Sequence, residues 1–422
     1  MTGNNRGIAM ILTLSVISVL LILALALSQR AGRMAETVIW NRDSAILSNM
    51  AESGAHIAMA LLIEDGMEGD TDTRCDIWAD ETRVEAILQT LPFQKGELAV
   101  RIFDESARIQ ANALVNFPKG RSPSQVQMNI WKRFLSSQID YRESSLDSFE
   151  KSDDFKKKDA ILTFAHSMID WLDSGDDDAV SGTAISAYGA ESEFYRDLDP
   201  PYECRNGPFA FDEELTKVRG YDFFSVPPPE RNPRKITGEK GEKDTTNGPD
   251  ENAFGDPDEA EDEWGFDENA HIPDYVTIRG ATPAGRSKFK YDGKININTA
   301  RLPVLLAMFL PENREFAQWI HSAREKAEEN CQTRPPGGET GEEGVSGAPD
   351  VDIRERDWHH SGPGWESLSA AEKKLIKTSS DLFRVESVAT LRGRTLTAEA
   401  IVKREGGKKK KTSCKILNLS FK

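Results

Sequence analysis

The chain has 422 residues, with 53 Lys and Arg set against 70 Asp and Glu, for a formal net charge of −17. That length leaves room for two or three domains beyond an anchor. The acidity argues against nucleic acid as a partner, because phosphate binding relies on Lys and Arg displacing counterions.

Residues Ile8 to Leu27 form an apolar run directly after Arg6-Gly7. About 20 residues suffice to cross a bilayer core of roughly 30 Å as one helix. Its polar members, Thr13, Ser15 and Ser18, can hydrogen-bond back to helix carbonyls. The competing reading is a cleaved secretory signal, with Ala24-Leu25-Ala26 as a small-x-small cleavage site. Against it, helical spacing continues past the run through Met34, Val38, Ile46, Met50, Ile57 and Leu61, with no Pro before Pro92. Gly32 and Gly54 are the weak points. A helix to about Glu64 would be about 85 Å long, its first half in lipid and its second half facing a folded domain. Arg6 lies before the run and Arg30 and Arg33 after it, so the positive-inside rule orients it only weakly. A short leader with the bulk exported is the expected arrangement.

Further on, Leu98, Val100 and Ile102 alternate with Ala99, Arg101 and Phe103, a strand pattern. Asp104-Glu105-Ser106 reads as a turn and Ala107 to Gln110 as a short return strand. From Ser124 to about Gly220 the apolar residues take helical spacing, as in Ile130, Trp131, Phe134 and Leu135, then Phe164, Met168 and Leu172. Glu213 to Val218 reads as a short helix ending at Gly220, a C-cap. Pro227 to Glu268 and Thr333 to Asp352 are acidic and poor in apolar anchors, as expected of solvated insertions.

Lys294 to Ala300 precedes a helix through Val304, Leu305 and Phe309. Leu368 to Ile376 reads as another, with Ser367 or Ser369 as cap. The end of the chain is β, with Phe383 and Val385, then Leu396, Ala398, Ala400 and Val402, then Leu417, Leu419 and Phe421 as three period-two sets. Gly393 and Gly406-Gly407 supply the turns of a meander. The economical fold is α+β: strand 97–103 and the C-terminal meander form one antiparallel sheet on the long helix, with a mostly helical domain inserted between them. Expected boundaries are 1–7 leader, 8–27 membrane span, 28–111 stem helix and first strands, and 112–225 helical insertion. Residues 226–290 are an acidic linker, 291–380 a second helical part, and 381–422 the meander.

Asp173, Asp176, Asp177 and Asp178, with Glu191 and Glu193 downstream, make a dense carboxylate loop. Such a cluster repels itself unless cations neutralise it, and hard oxygens suit Ca²⁺. The alternative is a solvated acidic turn, and the EF-hand spacing is missing. Cys75, Cys204, Cys331 and Cys414 show no metal-ligand spacing and allow three pairings. His166 reads as a packing residue and His359-His360 as surface loop residues. No arrangement of Ser, Cys and His suggests an activated nucleophile, so an enzyme is not expected.

Several stretches, taken in order, resemble the protein K family of minor pseudopilins in type II secretion, a branch of the type IV pilin-like fold. Arg6-Gly7-Ile8-Ala9-Met10 resembles the prepilin peptidase site, which implies cleavage between Gly7 and Ile8. Leu98 to Leu114 resembles the family's first strand pair. Asp170-Trp171-Leu172-Asp173, Gly189-Ala190-Glu191 and Asn206-Gly207-Pro208-Phe209 resemble the loop before a helix present here as Glu214-Leu215-Thr216-Lys217-Val218-Arg219-Gly220. Ile295 to Ala300 and Leu382 to Glu386 complete the set.

The resemblance implies a methylated Ile8 amine, inner-membrane anchoring with the bulk of the chain in the periplasm, and minor pseudopilins I and J as partners. It also implies calcium held by Asp173, Asp176, Asp178, Glu191 and Glu193, although Ser192 stands where relatives often carry Asp. Leu12 occupies the fifth mature position, where most pilins carry Glu; protein K characteristically lacks it, which suits a tip position. Leu12, Met34, Val38 and Ile46 are the residues expected to meet neighbouring stem helices. The rival is a membrane-tethered binding protein for secreted substrates.

Overall fold

The structure is a computed structural model that describes residues 5–91, 96–120, 122–145, 154–174, 188–225, 266, 271–284, 288–333, 351–407 and 410–422. One helix, α1 (Asn5–Glu68), forms a stem. From Met10 to Arg42 its side chains are exposed, and it holds a window of mean hydropathy 2.9. Its second half buries Leu47, Met50, Ala51, Ala55, Ala58, Leu61 and Leu62, the three- and four-residue spacing expected of one helix face. Gly54 has a reason to be there. A Cβ at that position would lie 2.0 Å from Ser387 Oγ and 2.9 Å from Val100, so the missing side chain lets stem and sheet approach.

The sheet is antiparallel, in the order β1 (Glu97–Asp104), β8 (Leu382–Leu391), β9 (Arg394–Gly407), β10 (Lys410–Phe421). The expected sheet on the expected helix is therefore present. Arg392 (φ 52°) and Gly393 (φ 75°) are the two residues between the paired Leu391 and Arg394. Two successive positive φ values fit the tight hairpin whose twist matches its strands. A short helix not anticipated from the sequence, α2 (Glu81–Gln89), is capped by Asp80, whose carboxylate accepts from the amides of Thr82 and Arg83. It buries Val84 and Leu88 against Val100 and Ile102 of β1.

Two strand expectations need correction. Leu417, Leu419 and Phe421 are not one period-two set, because a shift in the pairing with β9 between Ile416 and Asn418 puts Leu417 out of step with the other two. Cys414, Ile416 and Leu419 pack inward, while Leu417 and Phe421 stay exposed. The segment after β1 does not return onto it. Asp104 accepts from the Ser106 amide in a short 3₁₀ turn, and the chain leaves as β2 (Ile109–Gln110).

β2 pairs in parallel with β3 (Val276–Thr277) inside the head. The head holds α3 (Gln125–Ser145), α4 (Asp154–Leu172), α5 (Ser192–Arg196), α6 (Asp222–Ser225) and α7 (Ile272–Tyr275). A small hairpin, β4 (Ala281–Pro283) with β5 (Phe289–Tyr291), follows. Then come β6 (Ile295–Asn296), α8 (Leu302–Met308), α9 (Arg314–Thr333), α10 (Ala370–Leu375) and β7 (Ile376–Lys377). The two helical parts separated by the acidic linker share one core, in which Trp131, Phe134 and Phe164 join Leu305, Phe309 and Phe316. Ser369 caps α10 reciprocally with Glu372, and Gly220 has φ 89°, as the sequence suggested. Glu213 to Val218 is instead the 3₁₀ turn Asp212–Lys217. Cys75 and Cys331 form a disulfide with a Cα–Cα distance of 5.8 Å, while Cys204 and Cys414 are free thiols.

Candidate metal site and assembly surface

Asp170, Asp173 and Glu191 each offer a carboxylate oxygen, and these oxygens lie within 4.8 Å of one another. Asp170 and Asp173 sit at the end of α4, three residues apart and so neighbours on one helix face. Glu191 comes from the residue before α5. Asp173 is buried. The glycine opposite them is fitted to Asp170: a Cβ on Gly189 would lie 1.9 Å from Asp170 Oδ2. The Gly189 carbonyl accepts from Arg219 Nη1 at 2.9 Å and the Tyr188 carbonyl from Ser167 Oγ at 3.3 Å. Both bonds tie this loop to the body of the head. Cys204 Sγ donates to the Asp170 carbonyl at 3.7 Å, and burial pushes its thiol up to about 12.

Of the expected ligands, Asp173 and Glu191 are brought together. Glu193 is not among them, since it lies on α5 with an exposed side chain. Asp176, Asp177 and Asp178 lie outside the described residues. Asp170, the third member of the group, was not among the expected candidates, although its spacing from Asp173 was the available signal. A second group, Asp65, Asp72 and Asp76, has its counter-charge in Arg404, whose guanidinium reaches Asp65 at 2.6 Å and Asp72 at 2.7 Å.

The residues expected to be processed or to meet neighbouring helices lie on the stem. Gly7 and Ile8 lie within α1, and Leu12, Met34 and Val38 are exposed at 60%, 56% and 66%. Ile46 is different: it is half-buried and packs against the chain's own Ala389, Leu391 and Ala398 cluster, so it is less available to a neighbouring helix. Trp40 and Ile39 are exposed beside Val38.

The histidines differ from one another. His166 is half-buried and stacks on Tyr188, with its pKa lowered by burial and by Lys132. His359 is not a surface residue. It is buried against Trp365 with ring centroids 5.0 Å apart, and burial followed by the neighbouring His360 pushes it down to about 4. His360 is exposed and stacks on Trp365 with ring centroids 4.1 Å apart.

No family model matches the chain. Type II secretion system protein K of Klebsiella pneumoniae is 22% identical over 228 residues, which span 53% of this chain and 60% of that protein. The chain therefore matches less than two thirds of that relative's length. A chain of the crystal structure of the GspK–GspI–GspJ complex, from the type 2 secretion system of enterotoxigenic Escherichia coli, superposes with a TM-score of 0.51. That superposition covers 90% of this chain and 98% of the other, at 15% identity. In sequence and in fold this chain is similar to protein K. The architecture, a pilin-like stem helix and sheet carrying a large head, extends over nearly the whole of the matched chain.

Proposed function

We propose that this protein is a non-enzymatic minor pseudopilin that caps a type II secretion pseudopilus. The observation that carries the reading is the pairing of a stem whose apolar first half is exposed with a bulky head, in a fold shared over 90% of the chain with a member of the GspK–GspI–GspJ complex. The apolar half of α1 anchors the chain in the inner membrane, with the head in the periplasm. Prepilin peptidase removes residues 1–7, and the stem packs beside those of minor pseudopilins I and J. Leu12 puts no carboxylate in lipid, where an unpartnered one is expensive. The head, much wider than one helix, suits a terminal position better than a repeating one.

Calcium belongs to the same proposal. Asp170, Asp173 and Glu191 would hold it, and the hard, anionic oxygens match its preference. When bound, the ion neutralises the carboxylates. The protein's own part is to fix them: Gly189 leaves room for Asp170, and Arg219 holds the loop that carries Glu191 nearby.

The deciding experiment is the mature N-terminus by mass spectrometry, together with co-purification of the full chain with pseudopilins I and J. A start at methylated Ile8 and a stable complex support the proposal. A start near Leu27, or retention of secreted substrates but of neither pseudopilin, would favour the tethered binding protein instead.

A further inference from the structure

Of the six histidines, His359 and His360 alone are neighbours in the chain. They sit in a short 3₁₀ turn, Trp358–Ser361, that the head holds firmly. Trp358 Nε1 donates to Asn298 Oδ1 at 2.8 Å, and Ser361 Oγ donates to the Trp358 carbonyl at 2.7 Å. Gly362 is pressed onto α9, where a Cβ would meet Trp319 at 2.5 Å and Phe316 at 2.7 Å. Gly364, with φ 81°, then turns the chain so that Trp365 comes back to the histidines. Its ring centroid lies 5.0 Å from that of His359 and 4.1 Å from that of His360.

This fixed turn leaves ring nitrogens unused. His359 is 5% exposed, and its Nδ1 is buried with no hydrogen-bond partner. A buried polar atom in that state is costly and calls for an explanation. His321, by contrast, meets both Arg324 and Glu325. His360 is exposed, so it opens the pair to solvent.

The spacing of the two rings is informative. Their centroids are 4.6 Å apart, with the planes at 75°. Two imidazoles bound to one ion at about 2 Å, in adjacent positions of a square, have centroids about 4.5 Å apart. A tetrahedral angle would spread them to about 5.2 Å. The observed spacing therefore fits a tetragonal ion with little rearrangement. Lys373 Nζ, 4.8 Å from the Trp365 centroid, opposes a cation here. Its half-exposed side chain has a flexible stem that can turn toward water.

We propose that His359 and His360 together bind one divalent transition-metal ion, copper(II) in preference to zinc, in adjacent coordination positions. Copper(II) accepts nitrogen and oxygen donors in a tetragonal arrangement and heads the affinity order of the first-row divalent ions. Water fills the remaining positions. The hard carboxylates of Asp170, Asp173 and Glu191 select a different ion, so the two sites load independently. The inference does not rest on the secretion reading.

The test titrates copper(II) chloride, and separately zinc chloride, into the full chain in detergent with calcium in excess. One copper ion is expected to bind and to quench tryptophan fluorescence, because Trp365 and Trp358 adjoin the ligands. Electron paramagnetic resonance is expected to show splitting from two ring nitrogens. His360→Gln alters an exposed side chain and is expected to keep the metal-free thermal midpoint. Its copper affinity should fall by at least about tenfold, the loss seen when even an outer partner of a metal-bound histidine is removed. The remaining signal should then show one ring nitrogen at most. No copper binding up to about millimolar concentration overturns the proposal. So does equal affinity in the His360→Gln variant, a spectrum without two ring nitrogens in the parent, or zinc binding as tight as copper.

Discussion

The guanidinium of Arg404 donates to both carboxylate oxygens of Asp72, at 2.5 and 2.7 Å, where the stem meets the head. The same group reaches the Asp65 carboxylate of α1 at 2.6 Å and the Ser380 carbonyl at 2.9 Å. Asp72 also accepts from the Ser380 amide at 2.5 Å. Beside them, Asp104 at the end of β1 accepts from Asn296 at 2.9 Å, Ser380 at 2.6 Å and Thr299 at 2.5 Å. One polar network thus joins stem helix, sheet and head. Arg404→Met leaves the fully buried Asp72 without its counter-charge, a loss expected to cost about 3–5 kcal/mol. Denaturant unfolding of the variant reads it directly, and a change within about 0.5 kcal/mol, the size of an ordinary surface substitution, would refute the seam's importance.

The network sets a pH dependence. Asp65 is pushed up to about 8, first by burial and then by Asp76 and Asp72, with Arg404 opposing. Asp76 is pushed up to about 6 by burial, with Asp72 adding to it. The folded protein holds these protons in a range where the unfolded chain, with carboxylates near 3.8, has released them. These two groups therefore contribute stability that is lost as pH rises from about 4 to about 8. Asp65→Asn removes the largest part of that slope. Its thermal midpoint is expected to drop less than the parent's between about pH 5 and pH 8; parallel curves would assign the slope to other groups.

The Cys75–Cys331 disulfide closes a loop of 256 residues across the same junction. In the chain-entropy account a loop of that length is worth about 5 kcal/mol, although native-state effects often reduce it. Cys331→Ser is therefore expected to lower the denaturation midpoint. A variant as stable as the parent would mean that the bond constrains little in the unfolded chain.

Much of this was legible because periodicity reports burial. The stem face from Leu47 to Leu62, the β1 alternation and the meander all follow from one-sided packing. What was not legible depended on register or on distant partners. The shift at Ile416/Asn418 turns Leu417 outward without any local signal of Gly or Pro. The single core shared across the acidic linker could not be read from two separate helical patterns. The carboxylate group was only half readable: Asp173 and Glu191 stood out in a dense run, but Asp170 was hidden in an amphipathic helix. The role of Gly54, a weakness by helix propensity alone, emerges only from its contact with Ser387.

Gly189 offers the sharpest test of the metal proposal. Its backbone is not left-handed, so alanine brings no conformational strain; it brings a Cβ 1.9 Å from Asp170 Oδ2. The Asp170 carboxylate must then swing away from Asp173 and Glu191. Gly189→Ala is expected to weaken calcium binding about tenfold or more, while unfolding in the presence of a chelator changes little. For the parent, calcium at about a hundred times its dissociation constant stabilises by about 2.7 kcal/mol, because the ion binds the folded state alone. Adding chelator should therefore lower the parent's thermal midpoint by several degrees and the variant's by much less. Should chelator leave the parent's midpoint where it was, the three carboxylates form a solvated acidic turn and the calcium assignment fails.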